Sequence, residues 1–243
     1  MMTFGFTFLL ALLLLALPAA QAAYIPIPRA ISSNGEITLS QLNTIIGGTK
    51  CSLTSSFLDE CRTAAQALPF VNKGFSDYNI TSLGEKAAML SLMAFESGGF
   101  QFNVNHFPGR PGQGTRNLME FPSIYQYALS QPFLSHQTLA LVPNHTVSNS
   151  YAALSNSTKN AILSLVLSDN LSFASAMWFY TQSGTGSGGK PPRGCLDMPG
   201  MVSGLQAQTE KGWENYIESC VGTSVTNDRK QGYLKTLKVL KQN

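Results

Sequence analysis

The segment that most limits how this chain can fold is residues 83–97, an apolar helix with a readable start and a readable stop. Ser82 and Glu85 stand three residues apart, the spacing of a capping box in which each side chain satisfies the other's exposed amide. Ala87, Ala88, Met89, Leu90, Leu92, Met93, Ala94 and Phe95 follow, apolar on nearly every side of the helix. Such a helix lies inside a core rather than on a surface. Gly98 and Gly99 end it. One carboxylate, Glu96, sits in the last turn, where the negative end of the helix dipole and the loss of water both disfavour charge. Those are the surroundings of a general acid.

The stretches after Glu96 carry a pattern. Glu96-Ser97 is followed by Phe102-Asn103, a Gly-rich approach ending at Gly114, then Asn117-Leu118-Met119-Glu120 and Pro122-Ser123. Further on come Ser172–Gly184, containing Met177-Trp178-Phe179-Tyr180, and Asp228–Leu240, containing Tyr233. In this order the elements resemble the lysozyme-like superfamily, in particular soluble lytic transglycosylases and goose-type lysozymes. The Trp-Phe helix is also similar to plant-type chitinases. Two positions depart from the pattern: Asn117 stands at a glycine and Glu120 at a glutamine.

The resemblance implies a single mainly α, lysozyme-like domain, with helices around a buried central helix and a substrate groove. It implies a glycoside hydrolase cleaving β-1,4 bonds in an N-acetylhexosamine polymer, of muramidase or lytic transglycosylase type, peptidoglycan before chitin. Glu96 is then the general acid and Glu120 the candidate second carboxylate, because glycoside cleavage ordinarily uses two. Gln113, Gly114 and Asn117 are expected to hydrogen-bond the sugar, with His106 nearby, and Tyr180 and Tyr233 to flank Glu96. A glycan-binding protein or secreted effector that kept the groove and lost turnover is the alternative. No cofactor and no metal are expected.

Composition points to an extracellular chain. Residues 4–20 form an uncharged apolar run ending at Ala20-Gln-Ala22, which reads as a signal peptide over residues 1–22. Pro18 interrupts the run and it is shorter than the ~20 residues of a membrane span. No span is expected in the mature chain. Cys51, Cys61, Cys195 and Cys220 are even in number and suggest two disulfides. The local pairs Cys51–Cys61 and Cys195–Cys220 are preferred among three connectivities because each closes a short loop. No Cys-x-x-Cys or His-x-x-x-His spacing supports zinc. Asn79, Asn144, Asn156 and Asn170 head glycosylation sequons.

A net charge of +3 favours an acidic wall polymer over nucleic acid as partner, and the chain is expected to be a monomer. Residues 23–48, with their Pro and Gly, read as an N-terminal extension or linker, and 49–243 as the domain. Helices are expected near 55–75, 83–97, 121–131, 159–168, 171–182, 203–219 and 228–241. The run Gly184–Lys190 nearly spells a phosphate-binding loop, but Pro191 stands where Ser or Thr is required. It reads as a surface loop.

Overall fold

The computed structural model describes residues 35–142, 151–182 and 194–242. The expected signal peptide, Asn144 and the glycine-rich run up to residue 193 lie outside them. The helices are α1 (Leu39–Ile45), α2 (Ala64–Asp77), α3 (Leu83–Glu96), α4 (Phe121–Ser130), α5 (Ser135–Leu141), α6 (Asn156–Leu165), α7 (Asp169–Thr181), α8 (Met201–Gln206), α9 (Glu210–Asn215) and α10 (Asn227–Leu240). Tyr216–Val221 continues α9 as a π-helical turn. The described residues are mainly α and contain isolated β-bridges but no strand.

α3 is the central helix: ten consecutive residues, Gly84–Met93, are buried. It packs most extensively on α10 and also touches α1, α7 and α8. Each large apolar side chain it buries is worth about 1.5–3 kcal/mol. The capping box forms only by half. Ser82 accepts the Glu85 amide at 3.4 Å, but the Glu85 side chain turns into the core and accepts from Tyr180 Oη at 2.8 Å and Gln206 Nε2 at 3.3 Å. A buried carboxylate needs such partners. Reciprocal boxes form instead at Thr38–Gln41 and Thr63–Gln66.

Two apolar clusters make up the interior. One gathers α1, α2, α3, α8, α9 and α10; the other gathers α4 and α6; α7 contributes to both, with Phe173 and Met177 in the first and Trp178 in the second. α6 and α7 together have the length and composition of a bent membrane-spanning pair, but they turn by 98° and no single helix among the described residues is long and apolar enough to cross. Leu171–Trp178 and Tyr180 of α7 are buried inside the body.

The structure departs from the expected boundaries in two places. Ile37, Leu42, Ile45 and Ile46 belong to the core, so the packed unit begins at Gly35 and not at Thr49. α1 is about two capped turns long and owes its stability to packing, which local pattern does not reveal. The expected helix 203–219 is broken at Gln208, which takes φ +57°, between α8 and α9.

Both disulfides pair locally, Cys51 with Cys61 and Cys195 with Cys220. Asn79, Asn156 and Asn170 are all exposed.

Candidate binding groove

The position of Glu96 follows from how α3 stops. Gly98 N–H bonds Phe95 O and Gly99 N–H bonds Ala94 O at 2.7 Å, the double closure of a Schellman motif. Gly99 takes φ +72°, and a Cβ there would stand 2.7 Å from Ile46 O, so no other residue fits. Ser97 Oγ donates to Met93 O at 2.6 Å and accepts the Phe100 amide. The helix end is rigid, and Glu96 projects from it into a groove of about 540 Å³.

The opposite wall is the loop 97–120, held by Arg116. Its guanidinium is fully buried and donates to Phe100 O, Phe102 O and Glu60 O at 2.6–3.0 Å. It lies over the Phe173 ring and 3.8 Å from Asp169, which in turn pairs with Arg62 at 2.7 Å. Burial pulls Arg116 down to about 10, with Asp169 opposing the shift. It stays protonated at neutral pH. Phe100, Thr115 and Leu118, none of them glycine, take φ of +71°, +69° and +48° in this loop. Such strain persists only where surrounding bonds over-determine the backbone, as they do here.

The groove brings some expected residues together and sets others apart. Glu96, Gln113, Asn117 and Glu120 line it. Asn117 Oδ1 accepts from Thr115 Oγ1 and Ser175 Oγ, which fixes the amide. Gln113 is spent on the loop itself, donating to Leu118 O and accepting from Asn105. Gly114 is buried behind the wall, where a Cβ would stand 2.6 Å from Asn103 O.

His106 lies away from the groove. Its Nε2 meets Glu60 Oε1 at 2.6 Å and its ring stacks on Phe57. Neither expected tyrosine has its hydroxyl on Glu96. Tyr180 donates to Glu85, and burial together with that carboxylate pushes its hydroxyl above the usual range. Tyr233 stacks on Trp213, its hydroxyl buried without a partner among the described residues. The tyrosine that feels Glu96 is Tyr216, raised first by full burial and then by the Glu96 charge.

Both groove carboxylates are paired with arginines that the sequence did not single out. Glu96 Oε1 accepts from Arg229 Nη2 at 2.7 Å, side chains 19% and 16% exposed. The same guanidinium lies 4.4 Å over Phe95. Glu120 faces Arg110 at 3.5 Å on the rim, both largely exposed. The available signal for Arg229 was its type, an arginine in a helix otherwise furnished with lysines. Gln126, Gln182 and Ser123 add polar groups, and Trp178, 2% exposed, walls the groove from within the core. No three His, Cys, Asp or Glu among the described residues come together as metal ligands.

No family model matches the chain, and no solved structure matches it. A curated relative from Fusarium oxysporum (strain Fo5176), described as a bifunctional dioxygenase (DOX)-epoxy alcohol synthase (EAS), is 35% identical over 161 residues. The match takes up 66% of this chain and 11% of the relative. That description is of an enzyme class other than a glycosidase. It overturns the expected glycosidase of lysozyme or muramidase type, and glycoside hydrolase and muramidase are no longer descriptions of this chain. The chain spans about one tenth of the relative's length (11%), so the activities in that description are those of the longer protein.

Proposed function

We propose that this chain is a non-catalytic binding module of lysozyme-like architecture whose groove holds an N-acetylhexosamine oligosaccharide. The observation that carries the reading is the pairing of both groove carboxylates with guanidinium groups. A proton donor to a leaving oxygen has to present an O–H towards the ligand. Glu96 instead accepts a charge-assisted hydrogen bond from Arg229, of the shorter and stronger kind.

The remaining groove chemistry suits binding. Asn117, Gln126 and Gln182 supply amides and Ser123 a hydroxyl, groups that exchange hydrogen bonds with sugar hydroxyls and acetamides without bringing a net charge. A self-contained body that matches a small part of a much longer bifunctional protein also fits a module carried beside catalytic domains. Two disulfides and three exposed sequon asparagines support an extracellular setting.

The test is calorimetric titration with the tetramer of N-acetylglucosamine, followed by mass spectrometry of the incubated sugar. Binding with no shortening of the tetramer is expected. Arg229→Ala leaves Glu96 unpaired in a partly desolvated wall, and affinity should fall at least about tenfold, the equivalent of roughly 1.4 kcal/mol. Accumulation of shorter sugars that ceases in Glu96→Gln would sink the non-catalytic reading. Absence of any binding would sink the groove as a glycan site.

A further inference from the structure

The face formed by α1, the Gly47–Lys50 turn and the later turns of α10 is cationic, and the one acid of α10, Asp228, lies in its first turn. From Arg229 to Gln242 the chain has five Lys or Arg and no Asp or Glu, which exceeds the net charge of the whole chain, +3. Between Leu39 and Lys50 there is no acid either. Arg229 is turned to Glu96 and Lys230 to Glu210. Lys235, Lys238 and Lys241 are exposed and make no ion pair among the described residues, and the same holds for Lys50.

The spacing is regular. Three-residue steps advance about 4.5 Å along a helix and turn back by about 60° around it, so the three lysines form a broad stripe spread over about 120° of its outer side. A shallow depression past Gly47, Gly48, Gly98 and Gly99 joins Lys50 to Lys235 and widens the stripe to a patch. Lys238, in the last turn, complements the dipole of α10. That effect reaches only one turn and leaves Lys235 and Lys50 unexplained.

We propose that this face is a second binding surface, separate from the groove, for an extended polyanionic polysaccharide bearing carboxylates. Lysines are compact, hydrated point charges without the rigid fork that selects a single bidentate anion. Several of them in a row, with no acid between, match repeated charges along a polymer. A lipid surface fits less well: the most exposed large apolar residues, Leu53, Phe107 and Phe133, belong to other segments. On this face Leu39 and Leu234 are only 48% and 37% exposed, too little apolar surface to enter a bilayer.

The probe is polygalacturonate, with vesicles of phosphatidylserine and phosphatidylcholine as the competing surface. The whole chain should bind the polymer, and raising salt from ~0.1 M to ~1 M, which shortens the screening length from about 10 to about 3 Å, should weaken binding at least tenfold. Lys235→Gln/Lys238→Gln/Lys241→Gln should abolish it while the thermal midpoint stays unchanged, because all three side chains are exposed. Lys73→Gln/Lys159→Gln/Lys211→Gln makes the same change in net charge at residues engaged with Asp77, Phe121 and Glu214 and should leave binding intact. Equal loss in both triple variants would reduce the effect to net charge and overturn the proposal. So would binding to vesicles but not to the polymer, or binding to neither. Titration of the neutral tetramer in the same variants should be unaffected, which separates this surface from the groove.

Discussion

Replacing Arg116 by methionine is expected to lower unfolding free energy by about 3–5 kcal/mol, the cost of breaking a buried charged network by removing one partner. Methionine fills much of the same space, so the loss isolates the polar part. The part-buried carbonyls of Phe102 and Glu60 would lose their donor, Phe100 O would keep only the Arg62 amide, and Asp169 would keep only the Arg62 side chain. Each stranded carbonyl alone costs about 1–3 kcal/mol. The consequence extends to the groove. Arg116 is the neighbour of Asn117 and ties down the loop that carries it, so tetramer affinity should fall even where the variant remains folded. Denaturant titration of both proteins provides the check. A loss under about 1 kcal/mol would mean that water satisfies the loop and that Arg116 does not hold the wall.

Gly84→Ala and Gly232→Ala are expected to act with opposite signs although both lie inside helices. On intrinsic propensity each change favours the helix by up to about 1 kcal/mol. At Gly84 a Cβ would stand 1.9 Å from Leu205 O and 2.9 Å from its carbonyl carbon, backbone atoms of α8 that no rotamer change can move. The two helices would have to separate, opening the core beside Glu85 and Tyr180, and a net loss of roughly 2–3 kcal/mol follows from overpacking. At Gly232 nothing lies within 4 Å. That variant should be neutral or slightly stabilised. Thermal melts of the two variants beside the parent decide it, and destabilisation of similar size in both would remove the close α3–α8 crossing as the cause.

How much could be read in advance depended on the range of the interaction. α3 was legible because its cap, its apolar run and its terminating glycines lie within about one stretch of sequence, and burial of Gly84–Met93 follows from that composition alone. The two disulfides were legible for the same reason: their cysteines are 10 and 25 residues apart. Asn117 was found through a motif. The partners of Glu96, Tyr180 and Glu85 were not. Glu96 and Arg229 are 133 residues apart, and Tyr180 and Glu85 are 95. At such separations many partners are chemically equivalent beforehand.

Glu85 shows the competition most directly. Local chemistry offered it the Ser82 amide, an exposed hydrogen bond worth little against water. Packing of α3 against α7 and α8 put its carboxylate in the core, where Tyr180 and Gln206 were the donors at hand. Tyr180 was thereby taken from Glu96, and Tyr216, on a π-helical turn that no periodicity announced, came beside it instead.

A mainly α body around one buried helix, two local cross-links and a carboxylate at that helix's end were all legible from the residues alone, since each depends on neighbours close in the chain or on composition. Packing at long range settled that this carboxylate is paired with Arg229, that Arg116 braces the facing wall, and that Lys235, Lys238 and Lys241 make no ion pair among the described residues. Those outcomes depend on which side chains are forced together when water is excluded, and a buried charge accepts whichever partner the packing supplies.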